Sequence, residues 1–211
     1  MKRLLVGTLV ALCMAFTTTL VATSGAALAA PGCPWAARPL PDPRVKMPVV
    51  GTMTIGSIGL QTPIFQGWLP DIESEASRSL NNGPAFYPRN MRWDNGLVNS
   101  SPGHGGTVAM LGHRTTRTHP FCLVSDIYVG NLAQLKVRSG TFVYQKVASM
   151  SLPGDDWSAF EWPARYDPNP KTWNKGIKPE YLVIGACDPL HSATRRMNVI
   201  FKLIKQEAST R

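Results

Sequence analysis

The stretch YLVIGACDPLHSATRRMNVIFKLIK, Tyr181 to Lys205, holds two apolar runs on either side of a short polar loop. The first run, YLVIGAC, ends in Cys187, and the second, MNVIFKLIK, follows directly on Arg195 and Arg196, the latter nine positions after the cysteine. Neither run keeps a helical period, and both are rich in Val, Ile and aromatic residues, so they read as β-strands. Asp188-Pro189 marks a turn away from the first of them. The same kind of run recurs upstream as VVGTMTI (49–55), IGLQTPIF (58–65), TVAMLGH (107–113), LAQLKV (132–137) and TFVYQKVAS (141–149). Gly-, Pro- and Asn-rich turns separate these runs, which predicts an all-β domain, either a barrel or a sandwich. The short candidates for helix are Ile72–Leu80 and Phe121–Val129.

Two turn-rich segments break the rhythm, Asn90–Gly106 and Ser151–Pro179; the second carries Trp157, Trp162 and Trp173. Long loops on a small β domain carry binding or cover a site. The tryptophans are read here as loop packing.

The first residues place Lys2 and Arg3 before an apolar run from Leu4 to Ala22 and a small-residue A-x-A ending at Ala29. That order describes a secretory leader, 1–29. The run is also just long enough to span a bilayer, so an uncleaved membrane anchor fits too. Lipidation at Cys33 is a third route, although the usual preceding leucine is missing. All three put the remainder outside the cytoplasm. Residues 30–48 hold six prolines from Pro31 to Pro48 and read as a linker or wrapping arm. Residues 49–211 are then one domain of ordinary size. The leader's two basic residues, with no acid among them, account for the drop in formal charge from +9 to +7. Scattered Lys and Arg describe a solvated basic surface rather than a nucleic-acid face.

Once Cys13 leaves with the leader, Cys33, Cys122 and Cys187 remain, an odd number in an exported chain. One thiol stays unpaired, and parity alone does not say which. A nucleophilic thiol needs a proton carrier and an oxyanion donor. His113 closes TVAMLGH and Arg196 opens MNVIFKLIK, so adjacent strands of suitable polarity would gather imidazole, thiol and guanidinium at one rim. Arg195 competes with Arg196, but one step of register turns a strand side chain to the other face. His104, His119 and His191 are assigned mainly solvent roles, with His191 a groove neighbour through its loop.

At these residues the chain resembles the sortases, cysteine transpeptidases that attach secreted proteins to Gram-positive cell walls, and is most similar to the class E sortases of actinobacteria. The motifs are LGHRTT (111–116) with Pro120-Phe121, and ACDPLHSATRR (186–196); GTMTIGSIGLQTPIFQG, SLNNGPAFYP and GHGGTVAMLGHRTT extend the likeness over roughly Val49–Leu203. The resemblance implies a closed eight-stranded β-barrel with short helices and long loops. It implies Cys187 as nucleophile, His113 as proton carrier and Arg196 as oxyanion donor, with Arg114, Ala186, Asp188 and His191 as candidates for the substrate groove. It further implies cleavage of an LPxTG- or LAxTG-like sorting signal between Thr and Gly, and transfer to an amine of a cell-wall precursor or a pilin. No metal or organic cofactor and no nucleic acid is expected, and the membrane is a partner only through the N-terminus. With Cys187 as the free nucleophile, Cys33 and Cys122 are left as the candidate disulfide.

The chain departs from the family at VIGAC, where the usual run is TLxTC-like, so Gly185-Ala186 replace hydroxyl-bearing positions. Two other functions stay open: a peptidoglycan L,D-transpeptidase, although its Ser-His-Gly-Cys run is absent, and a catalytically silent sortase-like binding barrel.

Overall fold

The computed structural model describes residues 48–66, 85–86, 101–115 and 118–209. The leader, nearly all of the Pro-rich arm, Cys33, the Ile72–Leu80 helix candidate and most of the 90–106 segment lie outside the described residues. The strands are β1 (Val49–Ile55), β2 (Leu60–Gln66), β3 (Ala85–Phe86), β4 (Gly106–Leu111), β5 (Leu132–Val137), β6 (Gly140–Pro153), β7 (Glu180–Asp188) and β8 (Arg195–Ala208). A single helical turn, α1 (Ser158–Glu161), and 3-10 turns at Gly56–Ile58, Val124–Asp126 and Pro163–Tyr166 complete the elements. The expectation of a largely β chain with short helices is met. The Phe121–Val129 candidate is corrected to the three-residue turn at Val124–Asp126, because Phe121, Val124 and Ile127 all point into one core from a compact loop.

The strands follow one another as β1-β2-β3-β4-β7-β8-β6-β5, and β5 lies antiparallel beside β1. Seven strands carry this curled sheet, and β3 adds two residues between β2 and β4. Inside the curl sit Met53, Ile55, Ile64, Met110, Leu135, Tyr144, Leu182, Ile184, Val199 and Phe201. Outside it, over β4, β7 and β8, a second cluster forms from Ala109, Leu111, Ala159, Phe160, Tyr181, Val183 and Ile200.

The two clusters explain the residue pattern. β5 faces solvent on one side and alternates, Leu132 exposed and Ala133 buried, Gln134 exposed and Leu135 buried. β4 and β7 run parallel to each other with both faces covered. A strand covered on both faces has no polar side, so VAML and YLVIGA read as unbroken apolar runs.

Buried polar anchors fix the loops around this double-sided core. The fully buried Glu180 carboxylate accepts N–H groups from Gly103 at 3.0 Å and Gly105 at 2.7 Å, and the Tyr144 hydroxyl at 2.6 Å. Both glycines have positive φ, which permits the turn to present its amides to one carboxylate. Burial, and next the Glu180 charge, pushes the Tyr144 hydroxyl well above its ordinary pKa.

Asp167 plays the same part for the Trp-rich segment. It accepts from Lys202 Nζ and from the Tyr181 hydroxyl, each at 2.8 Å. Lys202 lies 4.4 Å from the Trp173 ring centre, and Trp173 meets Tyr181 edge-on. Burial raises the Asp167 carboxyl, but its hydrogen bonds from Lys202, the Asn169 amide and Tyr181 outweigh that and hold it below the usual carboxylate value.

A carboxyl depressed in the folded state contributes stability above its unfolded pKa, near 3.9, and loses it as pH falls through the folded value. The stability gap between the wild type and Asp167→Asn is therefore expected to be full at neutral pH and to shrink below about pH 4. Lys202→Met, which strands the buried carboxylate, is expected to cost about 3 kcal/mol at neutral pH in urea unfolding.

Candidate active site

Strand register gathers the chemistry. β7 and β8 are antiparallel, with Cys187 opposite Arg196 and Asp188 opposite Arg195. Directly opposed residues share a face of the sheet. Cys187 and Arg196 therefore stand together on the outer face with Val183 and Gly185, while Asp188 and Arg195 belong to the inner face. β4 is parallel to β7, its last pair being Leu111 with Gly185, and the Gly112 amide extends the ladder by donating to the Gly185 carbonyl at 3.2 Å. His113 follows two residues past that last pair, and the next residue, Arg114, donates to the Cys187 carbonyl, which sets the exit of β4 beside the end of β7. The row across β7 and β8 is Cys187 and Arg196, with His113 on the exit of β4 beside it.

The boundaries differ slightly from the sequence expectation. His113 stands two residues beyond β4 rather than closing it. Arg196 is the second residue of β8 rather than the residue before it, because Arg195 and Arg196 pair with β6 at Pro153 and Leu152 as well as with β7.

Beneath the row, an inner-face network ties its supports together. Arg114 is buried, and its Nη1 donates to Asp188 Oδ1 at 2.6 Å and to the Cys187 carbonyl at 3.3 Å, while Nη2 donates to Ser125 Oγ at 2.9 Å. The other Asp188 oxygen accepts the Ser151 hydroxyl, and Ser151 in turn accepts Arg195 Nε at 2.9 Å. One arginine beside His113 thereby holds the loop leaving β4 against the end of β7.

Above the row lies the segment following β6. The Arg196 guanidinium carbon sits 3.5 Å from the centre of the Trp157 ring, and Arg196 Nη2 donates to the Gly154 carbonyl at 2.5 Å. Trp157 rests against Phe160 with ring centres 5.4 Å apart. The Asp156 carboxylate receives the Ser158 amide at 2.8 Å, and bonds from Ser158, its side chain first, hold it below its ordinary pKa.

Several sequence assignments change. Ala186 belongs to the inner core rather than the groove, since strand alternation turns it away from the Cys187 face. His119 is buried rather than solvent-facing, held in the loop where its carbonyl accepts the Cys122 amide. His191 is exposed on the β7–β8 loop at positive φ and is not brought into the row. Trp157 packs, as expected of the tryptophans, but it packs on the candidate oxyanion donor. Ser125, Ser151 and Gly154 carry no sequence motif that singles them out, and Trp157 could have been flagged only by its place in the long segment before β7.

Cys187 is partly exposed and is the free cysteine among the described residues. Cys122 is disulfide-bonded. Among the described residues, no three His, Cys, Asp or Glu side chains converge as a metal site, and no helix is long and apolar enough to cross a membrane.

No protein-family model matches the chain, and no curated protein does. Solved structures do. Sortase E1 from Streptomyces coelicolor, determined with a tripeptide in its active site, is 20% identical, with 75% of this chain and 90% of that one covered at a TM-score of 0.56. A lid mutant of sortase A from Corynebacterium diphtheriae is 18% identical over 78% of this chain and 74% of its own, at 0.54. Sortase C-3 from Streptococcus pneumoniae is 17% identical over 78% and 67%, at 0.56. At these identities the likeness is one of fold, and the fold is that of the sortases.

The glycine of VIGAC, Gly185, has a packing reason. A Cβ on Gly185 would lie 2.7 Å from Leu111 Cδ2, 2.8 Å from Phe160 Cζ and 2.9 Å from Arg196 Cδ. A larger residue there must displace the stem of Arg196. Gly185→Ala is expected to destabilise the fold by about 1–3 kcal/mol in urea unfolding, whereas Gly176→Asn, on an open turn with φ +81° and nothing near its Cβ, is expected to cost less.

Proposed function

We propose that the chain is a sortase, a cysteine transpeptidase that cleaves an LPxTG- or LAxTG-like signal between Thr and Gly. The observation that carries this reading is the register row, in which the free Cys187 faces Arg196 across β7–β8 and His113 follows the parallel strand on the other side. The ladder order, with β3 as a two-residue seam, supports reading the sheet as the closed eight-stranded barrel of those enzymes.

In this reading Cys187 Sγ, its proton passed to His113, attacks the Thr carbonyl carbon. The carbonyl oxygen takes up negative charge, which the Arg196 guanidinium receives as a fixed, permanently protonated donor. The C–N bond to Gly breaks as His113 delivers a proton to the departing amine, leaving a thioester. An acceptor amine, from a cell-wall precursor or a pilin lysine, then attacks the thioester while His113 takes its proton, and the thiol is released. Arg114, through Asp188 and the Cys187 carbonyl, holds the histidine loop and the nucleophile strand in one frame. Residues 1–29 export or anchor the chain, 30–48 tether it, and the domain from 49 onward works at the outer face of the membrane. Cys33 is the proposed partner of Cys122, which leaves Cys187 reduced in an oxidising compartment.

The test is intact mass of residues 31–211 after incubation with LAxTG and LPxTG peptides, beside Cys187→Ala and His113→Ala. A hydroxylamine-labile acyl adduct is expected on the wild type and absent from Cys187→Ala. A free Cys187 that takes up no acyl group from either peptide contradicts the assignment.

A further inference from the structure

We propose that Trp157 is a positioning residue that fixes the Arg196 guanidinium in the catalytic row; this deepens the sortase reading and rests on it. An arginine side chain has a long flexible stem, and an oxyanion donor works by being in place before charge develops. Arg196 is held at three places. Its stem lies over the bare backbone of Gly185, where a Cβ would come within 2.9 Å of Cδ. One guanidinium edge is taken by the Gly154 carbonyl, and one planar face lies 3.5 Å from the centre of the Trp157 ring. A face-on indole excludes water from that side of the cation and attracts it through its quadrupole.

The indole is itself built in. Trp157 leans on Phe160, which is fully buried in the outer core cluster, and the Trp157 carbonyl accepts the Phe160 amide at 2.8 Å. At the other end of the arginine, the buried Asn198 amide donates to the Arg196 carbonyl at 3.0 Å. Glycine at 185 and tryptophan at 157 therefore work as a pair. The small residue makes room for the stem, and the large one closes over the head. A substitution at either position should act through Arg196 rather than through Cys187.

The test compares wild type, Trp157→Ala, Trp157→Phe and Trp162→Ala, the last altering an exposed tryptophan that stacks on Arg165 instead. Thioester formation is measured across peptide concentration, and the Arg196 Nε–H resonance is followed in ¹⁵N-arginine-labelled protein. Trp157→Ala is expected to lower the saturating acylation rate about tenfold while changing the half-saturating concentration little. Trp157→Phe recovers part of the rate, and Trp162→Ala matches wild type. The Arg196 Nε–H signal, shifted by the indole ring current in wild type, moves in Trp157→Ala and stays in Trp162→Ala. Trp157→Ala and Trp157→Phe acylating at the Trp162→Ala rate would overturn the proposal, and so would an Arg196 signal that does not move. Wild type that fails to acylate while the resonance does move means that the sortase reading has failed, and the catalytic role of the stack with it, although the stack exists.

Discussion

The pairing of β7 with β8 is the constraint on which the site depends. Antiparallel register sets Cys187 against Arg196, and a slip of one residue would exchange Arg196 for Arg195 and turn the donor inward. The slip is opposed by the whole ladder, because Val199, Phe201 and Leu203 of β8 would leave the inner core at the same step. β8 is also paired along its length with β6, whose two register shifts, at Val143/Tyr144 and Lys146/Ala148, adapt a long strand to a curled sheet without losing the pairs near Arg196. The spacing of Cys187 and Arg196 is thus held by hydrophobic burial some way from the candidate site.

Covering the outer face serves that same end. A sheet with a single core inside its curl would leave β4, β7 and β8 wet where the row lies. Here the segment between β6 and β7 folds back over them, pinned near its C-terminal end by Asp167, Lys202 and Trp173 and at the site end by Phe160 and Trp157. The polar anchors are satisfied by several partners each, which is the condition under which buried charge does not work against the fold. The consequence for function is that an aromatic roof, rather than solvent, meets the candidate oxyanion donor.

Much of this was readable from side-chain pattern. The runs VVGTMTI and LAQLKV match β1 and β5 residue for residue, because a half-exposed strand advertises itself by alternation and β-branched content. The choice of Arg196 over Arg195 was legible through the family resemblance, and the facing of Arg196 and Cys187 is supplied by the strand register. Ala186 adjoins Cys187 in sequence, but in a strand neighbours point apart, so it falls in the inner core. His119 was misjudged because a loop histidine carries no signal of burial until the loop packs. The Arg114–Asp188 bridge and the Trp157 roof join residues 74 and 39 positions apart, and no local pattern encodes such contacts. The same holds for Gly185, whose reason is a clash with Phe160 and Arg196 that only the folded chain presents.

Register, not mere proximity in sequence, selects the candidate oxyanion donor. The most direct measurement is the rate of thioester formation in Arg195→Ala and Arg196→Ala, compared side by side with the wild type. Arg196→Ala is expected to lose acylation by roughly 10²–10³-fold, while Arg195→Ala, whose side chain belongs to the inner face and braces Ser151, keeps the wild-type rate to within a few-fold. Equal losses in the two variants, or the larger loss in Arg195→Ala, would contradict it.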